Sequence, residues 1–303
     1  MITGAQVTII VPVYNGEKYL EETLLSLIDT QAFTESKIIL VNDGSSDGTN
    51  QIIQKYKNRV EIINQKNQGQ AQSINNALKI TSTPFCSIVN CDDPIINPKI
   101  FNISLKEFNK NKEIVVTYPN WKMIDENSQI LKEVEVPKYS REELIGNFNC
   151  LVGPGAVFKV TPALSIGGWN ARFRFVPDYD FWLRMSNLGG FVKIDEYLAS
   201  WRNHSDSISV KSKGPAMAKE HIEVMQNFLK DSKLEQRLQK KAEANSLYSA
   251  ALLSAFNSKI NGRKLFILAF KKYPLVLKKK SLKSIIFLLT YPISAYFINL
   301  NHK

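Results

Sequence analysis

Two adjacent aspartates are the first candidates for chemistry in this sequence. Asp92 and Asp93 stand just beyond the apolar run Phe85–Val89 and directly before Pro94. Neighbouring carboxylates at a strand end repel each other and lose hydration, which is costly unless a cation or a shared proton offsets it. A divalent metal site is therefore one interpretation. The other is a turn in which Asp caps the following helix, and this stretch alone favours the turn.

Alternating strands and helices must position these carboxylates. Short β-branched runs at Val7–Tyr14, Lys37–Val41, Val60–Ile63 and Phe85–Val89 are typical of strands buried in a parallel sheet. Apolar residues at helical spacing separate them. This alternation predicts an α/β domain with a doubly wound, largely parallel sheet, whose ligands bind at the carboxyl ends of the strands. Four sets of residues are then expected at one sheet edge: Tyr14, Asp43, the turn Lys66–Gly69 and Asp92.

The following part of the chain is less regular. A strand is predicted at Ile114–Tyr118, followed by an irregular excursion over Trp121–Val136 with a hairpin turn at Asp125–Ser128. A short helix is expected over residues 141–148, and Leu151–Phe158 reads as a glycine-rich loop that enters a strand. Further predicted features are a helix stop at Gly167–Trp169, a helix at Asp178–Leu188, a final strand at Phe191–Ile194, and helices at about 216–230 and 233–257.

The charge distribution divides the chain into two regions. Residues 211–303 contain 18 Lys and Arg against 5 Asp and Glu, a net +13, whereas residues 1–210 carry 21 against 23, a net −2. We therefore expect one domain over residues 1–210 and a basic, apolar helical region over 211–303. Three cysteines and three histidines give neither a zinc spacing nor an even disulfide set, which favours a reducing, cytoplasmic location.

Six stretches in order resemble family 2 glycosyltransferases, which have the GT-A fold, a three-layer α/β/α arrangement around a mainly parallel mixed sheet. The resemblance covers residue 7 to about residue 205. The stretches are Val11–Asn15, Val41–Thr49, Asn67–Gly69, the Asp92–Asp93 strand end, Asp178–Arg184 and Trp201–His204. Each stretch alone is a weak signal, and their common order makes the assignment specific. The resemblance implies transfer of a sugar from a nucleotide sugar, expected to be a UDP-sugar, to an acceptor hydroxyl with inversion.

The resemblance also implies which residues bind the nucleotide. Pro12 and Tyr14 would line the nucleobase pocket, with Tyr14 as an aromatic wall. Glu17 would border the same pocket, and Asp43 would accept a hydrogen bond from a ring N–H. Free N–H groups at a helix start would meet phosphate or ribose together with a nearby lysine. The remaining nucleotide-binding candidates are Lys66, Gln68, Gly69, Asn90, Cys91 and Asp92.

The metal and catalytic roles follow from the same resemblance. Asp92 and His204 would hold Mn²⁺ or Mg²⁺, and Asn90 stands where the family commonly has an aspartate. Asp178 matches the catalytic base, which takes the proton of the acceptor hydroxyl; its alternative role is a helix N-cap. Candidates for contact with the acceptor or the diphosphate are Gly155, Trp182 and Arg202, and Arg184 would pair with an acidic neighbour or approach phosphate.

The expected partners are a nucleotide-sugar donor and a glycan or lipid-linked acceptor in bacterial cell-surface polysaccharide or glycolipid synthesis. Ser284–Leu300, 17 largely apolar residues broken by Pro292, is marginal for a membrane span of about 20 residues. Packing on the domain and peripheral binding to the anionic inner face of the cell membrane both remain open. Alternative functions are a metal-dependent nucleotidyltransferase and a non-catalytic protein that binds anionic surfaces. No nucleic-acid binding is expected, because tail aromatics do not alternate with Arg.

Overall fold

The computed structural model describes residues 5–34, 36–204 and 214–289. The chain divides into two compact units, one formed by Met1–Tyr139 with Cys150–Ser205 and the other by Ser140–Asn149 with Asp206–Lys303. The segment Ser140–Asn149 therefore belongs to the same unit as the C-terminal helices, although the strands that precede and follow it in sequence belong to the first unit.

The first unit is built on an eight-stranded mixed sheet with the order β3-β2-β1-β4-β7-β5-β6, in which β8 pairs with β5. Strands β1 to β4 are mutually parallel, β7 runs antiparallel to β4 and β5, and β8 runs parallel to β5. The predicted mainly parallel α/β architecture is confirmed. The strands are β1 Val7–Val13, β2 Lys37–Asn42, β3 Glu61–Asn64, β4 Phe85–Ile88, β5 Ile114–Ile124, β6 Ile130–Val134, β7 Val157–Lys159 and β8 Gly190–Arg202.

Helices cover both faces of this sheet in the order that the periodicity predicts. Every residue of β1 is buried, as expected for a strand with a helix layer on either side. The helices of the first unit are α1 Leu20–Thr34, α2 Thr49–Tyr56, α3 Gln70–Ile80, α4 Lys99–Lys110, α5 Val160–Ser165 and α6 Pro177–Met185. The helix stop is confirmed, since Gly167 and Gly168 follow α5 with φ of +78° and +70°.

The segments on either side of the predicted hairpin turn are more regular than the sequence indicated. Trp121–Val136 is not an irregular excursion, because β5 continues to Ile124 and pairs with β6. The turn at Asp125–Ser128 is confirmed, and Ser128 N–H donates to Asp125 O at 3.2 Å. Four of the five β6 residues are exposed, so this strand lacks the apolar alternation by which a half-buried strand is recognised. The final strand is also longer than predicted and ends at Arg202.

The second unit is helical. Its helices are α7 Pro215–Asp231, α8 Gln236–Ala255, α9 Lys259–Lys272 and α10 Leu282–Leu289, with a π turn at Glu142–Gly146 and a 3₁₀ helix at Pro274–Lys279. The helices predicted near 141–148, 216–230 and 233–257 are therefore present. Small residues bring α8 and α9 together, because a Cβ on Gly262 would lie 2.6 Å from Ala255 Cβ. Asn245 Nδ2 donates to Gly146 O at 2.9 Å and joins α8 to the π turn.

No helix within residues 5–34, 36–204 and 214–289 is both long and apolar enough to cross a membrane. The apolar segment Ser284–Leu300 is described only up to Leu289, and residues 290–300 lie outside the described part of the chain. The described part of that segment belongs to α10, whose Phe287 and Leu288 are buried in the core of the second unit.

Gly155, just before β7, tests the packing of the sheet in the first unit. It has a φ of +76°, and a Cβ there would lie 2.7 Å from Ala199 Cβ on β8 and 3.2 Å from Pro119 Cγ on β5. We expect Gly155→Ala to lower the free energy of unfolding by about 1–3 kcal/mol more than Gly167→Ala does. Gly167 is the matched control, because its φ is also positive but nothing lies within 4 Å of an added Cβ. Urea unfolding of both variants measures the difference, and equal losses would contradict the close approach of β7 to β5 and β8.

Candidate functional site

The loops after β1 and β2 are joined by reciprocal hydrogen bonds. Asn15 N–H donates to Ser45 Oγ at 3.0 Å, and Ser46 N–H donates to Asn15 Oδ1 at 2.9 Å. Asn15 has a φ of +53°, a conformation that Asn tolerates better than most residues. These bonds fix the path of the chain just beyond the strand ends.

Glu17 belongs to the same junction. Its N–H donates to Asp47 Oδ2 at 3.1 Å, and its Oε2 accepts from Gly48 N–H at 3.0 Å. Glu17 therefore lies at the sheet edge, as the sequence predicts. One of its carboxylate oxygens, however, is already bonded to Gly48 N–H within the protein. A Cβ at position 48 would lie 2.3 Å from Glu17 Oε1, so a side chain there would displace the Glu17 carboxylate from this bond.

Asp43 organises the turn that follows β3. Its carboxylate is buried and accepts from Gln68 N–H, Gly69 N–H and Gln65 Nε2, each at 2.8 Å. The expectation that the amides of Gln68 and Gly69 are free for phosphate is wrong in this structure, because both donate to Asp43. A carboxylate has about four acceptor positions, so Asp43 keeps about one for a ring N–H.

The other nucleotide candidates differ in accessibility. Pro12 is buried inside β1, where it pairs with Val41. Tyr14 follows the strand with 52% of its surface exposed, so its ring can form the wall of a binding site. Lys66 is exposed on the turn after β3. Tyr14, Asp43 and Lys66 all lie beyond the carboxyl ends of parallel strands, as the sequence predicts.

Asp92 and His204 meet at this same edge. Asp92 Oδ2 and His204 Nε2 are 2.9 Å apart, although the two residues are 112 positions apart in sequence. Both side chains remain partly accessible, with 25% of Asp92 and 11% of His204 exposed. The His204 ring also lies against Tyr19, with 5.0 Å between the ring centroids. The end of β4 thus faces the chain beyond β8, and the carboxylate and the imidazole can act on one ligand.

The residues beside Asp92 point into the protein. Asp93 is 3% exposed; Asp93 Oδ1 accepts from Arg202 N–H at 2.8 Å, and its Oδ2 accepts from Asn90 Nδ2 at 2.9 Å. Burial, and secondarily the charge of Asp92, raises the pKa of Asp93 above its usual range. Burial also raises the pKa of the Cys91 thiol, which keeps this thiol protonated and makes it a poor metal ligand.

Arg202 is fully buried and its guanidinium is engaged by the fold. Nε donates to Asp92 O at 2.9 Å, and Nη2 pairs with Glu22 Oε2 at 2.7 Å. Nη1 donates to Asp125 O at 3.0 Å and Ser128 Oγ at 2.9 Å in the β5–β6 turn. The assignment of Arg202 to the diphosphate therefore needs correction, since all of its guanidinium nitrogens already donate to protein oxygens.

Asp92 and His204 have the donor chemistry for a divalent cation. No group of three or more His, Cys, Asp or Glu residues that could hold a metal occurs within the described ranges. Mg²⁺ is, however, commonly bound through one or two carboxylates plus substrate phosphates and water. The 2.9 Å between Asp92 Oδ2 and His204 Nε2 is close to the spacing of adjacent octahedral ligands, about 3 Å for metal–ligand bonds of 2.0–2.1 Å. The pair thus fits a metal whose remaining positions are filled by a diphosphate and water.

Asp178 lies in the first turn of α6, behind Pro177 and the N-cap Val176. The alternative role of Asp178 as an N-cap is therefore wrong, and Pro177 starts the helix instead. Burial raises the pKa of Asp178, while a hydrogen bond from Tyr179 N–H opposes that shift. A carboxylate that is poorly hydrated and has a raised pKa is a stronger base than an ordinary aspartate.

The residues assigned to the acceptor side are mainly structural. Trp182 is 5% exposed and makes edge contacts with Phe158 and Phe181, so its ring does not offer a stacking surface. Gly155 is buried between β5 and β8. Arg184 pairs with Asp180 and donates to two carbonyl groups of the turn after α5, which is the first of its two predicted roles.

Sequence reasoning missed two residues at the start of α1. Tyr19 lies under the Arg202 guanidinium, with 4.5 Å from Cζ to the ring centroid, and Glu22 is the ion-pair partner of Arg202. Residues three apart on a helix share a face. The spacing of Tyr19 and Glu22 was therefore the available sign in the sequence that an aromatic ring and a carboxylate could contact one partner. Their buried cationic partner lies 180 residues away from Glu22 and could not be identified from local pattern.

Known proteins share sequence features and fold with this chain. Residues 8–156 match the sequence profile described as glycosyl transferase family 2. A chondroitin synthase from Escherichia coli is 28% identical over 209 residues, which is 68% of this chain and 30% of that protein. The chain thus spans less than a third of that relative.

Two solved structures show the same fold. TarS residues 1–349 from S. aureus, in complex with UDP-GlcNAc, superposes with a TM-score of 0.67 at 20% identity, covering 89% of this chain and 81% of that one. The mannosyltransferase PcManGT from Pyrobaculum calidifontis, in complex with GDP-Man and Mn²⁺, gives a TM-score of 0.61 at 14% identity, covering 98% and 84%. With the motifs in order, the GT-A-type sheet and the profile match, the chain belongs to glycosyl transferase family 2.

Proposed function

We propose that this protein transfers a sugar from a nucleoside-diphosphate sugar to an acceptor hydroxyl with inversion at the anomeric carbon. The observation that carries the proposal is the convergence of Asp92 and His204 at the sheet edge that also carries the exposed ring of Tyr14. A nucleotide-sugar site needs a surface for the base and ligands for a metal-bound diphosphate. Tyr14 provides the aromatic surface, and Asp92 with His204 provides the carboxylate–imidazole pair. The TarS complex with UDP-GlcNAc supports a UDP-sugar as the donor.

The donor site combines accessible and structural residues. Tyr14 stacks on the base, while Pro12 and Glu17 shape the loop that holds this ring. Asp43 accepts from the base through its remaining acceptor position and orders the turn that carries Lys66. Asn90 and Cys91 support the strand end. Asp92 and His204 would hold Mn²⁺ or Mg²⁺, and the metal would supply positive charge for the leaving diphosphate.

The transfer is a single displacement. The acceptor oxygen attacks the anomeric carbon while the bond from that carbon to the diphosphate oxygen breaks. The electron pair of that bond leaves with the diphosphate, and the acceptor proton passes to the Asp178 carboxylate. As the acceptor oxygen forms the new bond it gains positive charge, so its proton becomes more acidic. The raised pKa of the buried Asp178 favours transfer of this proton to its carboxylate.

The acceptor is proposed to be a glycan or a lipid-linked glycan in bacterial cell-surface polysaccharide or glycolipid synthesis. The chondroitin synthase relative, which by its name assembles a polysaccharide, supports this assignment. Of the predicted acceptor-side residues, Gly155 and Trp182 shape the site through packing.

One helix face supports peripheral binding to an anionic membrane from the cytoplasmic side. On α9, Ile260, Ile267 and Leu268 are 64%, 50% and 50% exposed. The exposed Lys264 and Lys271 share this face at helical spacing. Exposed apolar side chains flanked by lysines fit the interface of an anionic bilayer, where apolar groups enter the acyl boundary and lysines meet the headgroups.

A donor screen tests the proposed activity, and Asp178→Asn tests the base. With Mn²⁺ and a glycan acceptor, a UDP-sugar should give UDP release that GDP-sugars do not match.

Asp178→Asn should lower turnover of that donor by about 10²–10⁴-fold while UDP binding measured by calorimetry stays unchanged. In the wild type, kcat/KM should fall with acid as Asp178 is protonated, starting at higher pH than for an ordinary aspartate because its pKa is raised.

Asp195→Asn is the control for this substitution, because Asp195 is exposed and pairs with Lys193. Near-normal turnover in Asp178→Asn would contradict the base assignment. Release of pyrophosphate from nucleoside triphosphates, without sugar transfer, would instead identify a nucleotidyltransferase.

Liposome flotation tests the membrane proposal. The intact chain should float with vesicles that contain anionic lipid at low salt and stay behind with neutral vesicles. Each basic residue near such a surface contributes about 1 kcal/mol, so reversing two charges by Lys264→Glu with Lys271→Glu should reduce binding by at least about tenfold. The matched control is Lys57→Glu with Lys79→Glu, two exposed lysines of the first unit. Equal losses in both variants would show that net charge and not the α9 face is responsible.

A further inference from the structure

Asp93 joins the end of β4 to the end of β8. Its Oδ1 accepts from the backbone N–H of Arg202 at 2.8 Å. Arg202 lies two positions before His204 in the sequence. Asp93 itself directly follows Asp92. The carboxylate is 3% exposed, so the link is shielded from water. The bond between Asp93 and Arg202 therefore fixes Asp92, the neighbour of Asp93, relative to His204. This fixed position sets the 2.9 Å contact between Asp92 Oδ2 and His204 Nε2.

Asn90 completes this link from the other side. Its Nδ2 donates to Asp93 Oδ2 at 2.9 Å, and its Oδ1 accepts from Gln70 Nε2 at 2.8 Å. An amide satisfies both neighbours because it carries a donor and an acceptor. A carboxyl group at position 90 would instead place an oxygen against an oxygen of Asp93, and the two groups could bond only by sharing a proton. The amide at position 90 is thus the complement of the buried carboxylate at position 93.

We propose that the hydrogen-bonded chain Asn90–Asp93–Arg202 N–H positions Asp92 and His204 for the metal-bound diphosphate, and that Asp93 is a positioning residue and not a metal ligand. This inference rests on the proposed function. Both oxygens of Asp93 are directed to protein donors, so the accessible part of the site presents one carboxylate and one imidazole. Asn90 fits this arrangement because its amide donates to the buried Asp93 carboxyl and accepts from Gln70 Nε2 at the same time.

The single accessible carboxylate affects how Mn²⁺ and the nucleotide bind. One accessible carboxylate is too little charge to hold Mn²⁺ tightly in water, since Mg²⁺-type sites depend on substrate phosphates for several of their ligands. The nucleotide should therefore bring most of the ligands with it. Wild-type protein should bind Mn²⁺ alone weakly and bind UDP with Mn²⁺ much more tightly than either component alone.

A reciprocal exchange of the two side chains tests the positioning chain. Asn90→Asp places two carboxylates face to face, and Asp93→Asn places two amide groups face to face, so each single variant loses the bond. The double variant N90D/D93N restores it with donor and acceptor exchanged, keeps an acceptor for Arg202 N–H and for Gln70 Nε2, and leaves the formal charge of the site unchanged. Residues that support metal ligands typically contribute about 10–100-fold to metal affinity.

Two measurements are made on the full chain of each variant: the melting temperature without metal, and calorimetric binding of UDP in the presence of Mn²⁺. We expect each single variant to melt lower and to bind UDP–Mn²⁺ about 10–100-fold more weakly, and the double variant to return to within about threefold of the wild type. Asp231→Asn, an exposed aspartate of the second unit, should change neither measurement.

Three results would overturn the proposal. These are tighter UDP–Mn²⁺ binding by Asn90→Asp, binding by the double variant as weak as that of the weaker single variant, and lower melting without any change in UDP–Mn²⁺ affinity. If a single variant does not fold, recovery of a folded, UDP-binding protein in the double variant still supports the chain. If wild-type protein binds no nucleotide with Mn²⁺, the proposed function fails, whereas the metal-free melting temperatures still report on the hydrogen bonds.

Discussion

The buried guanidinium of Arg202 is the interaction on which the rest of the site depends. Removing a guanidinium from water is costly, and here hydrogen bonds to Asp92 O and the β5–β6 turn, the ion pair with Glu22 and the ring of Tyr19 offset the cost. Because these groups come from three separate segments, the ends of β4 and β8 cannot move independently. His204, two residues further along, is consequently brought against Asp92.

The same principle organises the nucleotide side of the sheet edge. Loops at the carboxyl ends of parallel strands contain many backbone groups without strand partners, and in this protein neighbouring loops satisfy one another. Asn15 exchanges hydrogen bonds with the loop after β2, and Asp43 accepts the amides at the start of α3. Polar residues that look like ligand contacts in the sequence therefore serve two purposes: some bind the nucleotide, and others, such as Arg202, hold the binding residues in place.

Local pattern predicted the strands and helices well and the long-range contacts poorly. The β-branched run at Val7–Val13 and the helical spacing of α1 are properties of short segments, so they could be recognised directly. The hairpin turn at Asp125–Ser128 was predicted, but strand β6 was missed because four of its five residues are exposed. The packing of Ser140–Asn149 with the C-terminal helices is a contact between distant segments. In the site, strand order predicted where Asp92 lies but not that the adjacent Asp93 is turned inward, since that depends on Arg202 N–H.

The central claim is that Asp92 and His204 together hold the metal of a nucleotide-sugar complex. A crystal structure of the protein with UDP and Mn²⁺, with an anomalous difference map recorded for manganese, tests it most directly. The account predicts one manganese peak bonded to both Asp92 Oδ2 and His204 Nε2, at about 2.0–2.2 Å, with diphosphate oxygens as further ligands. A manganese ion bound elsewhere, or nucleotide bound with no manganese peak at Asp92 and His204, would contradict it.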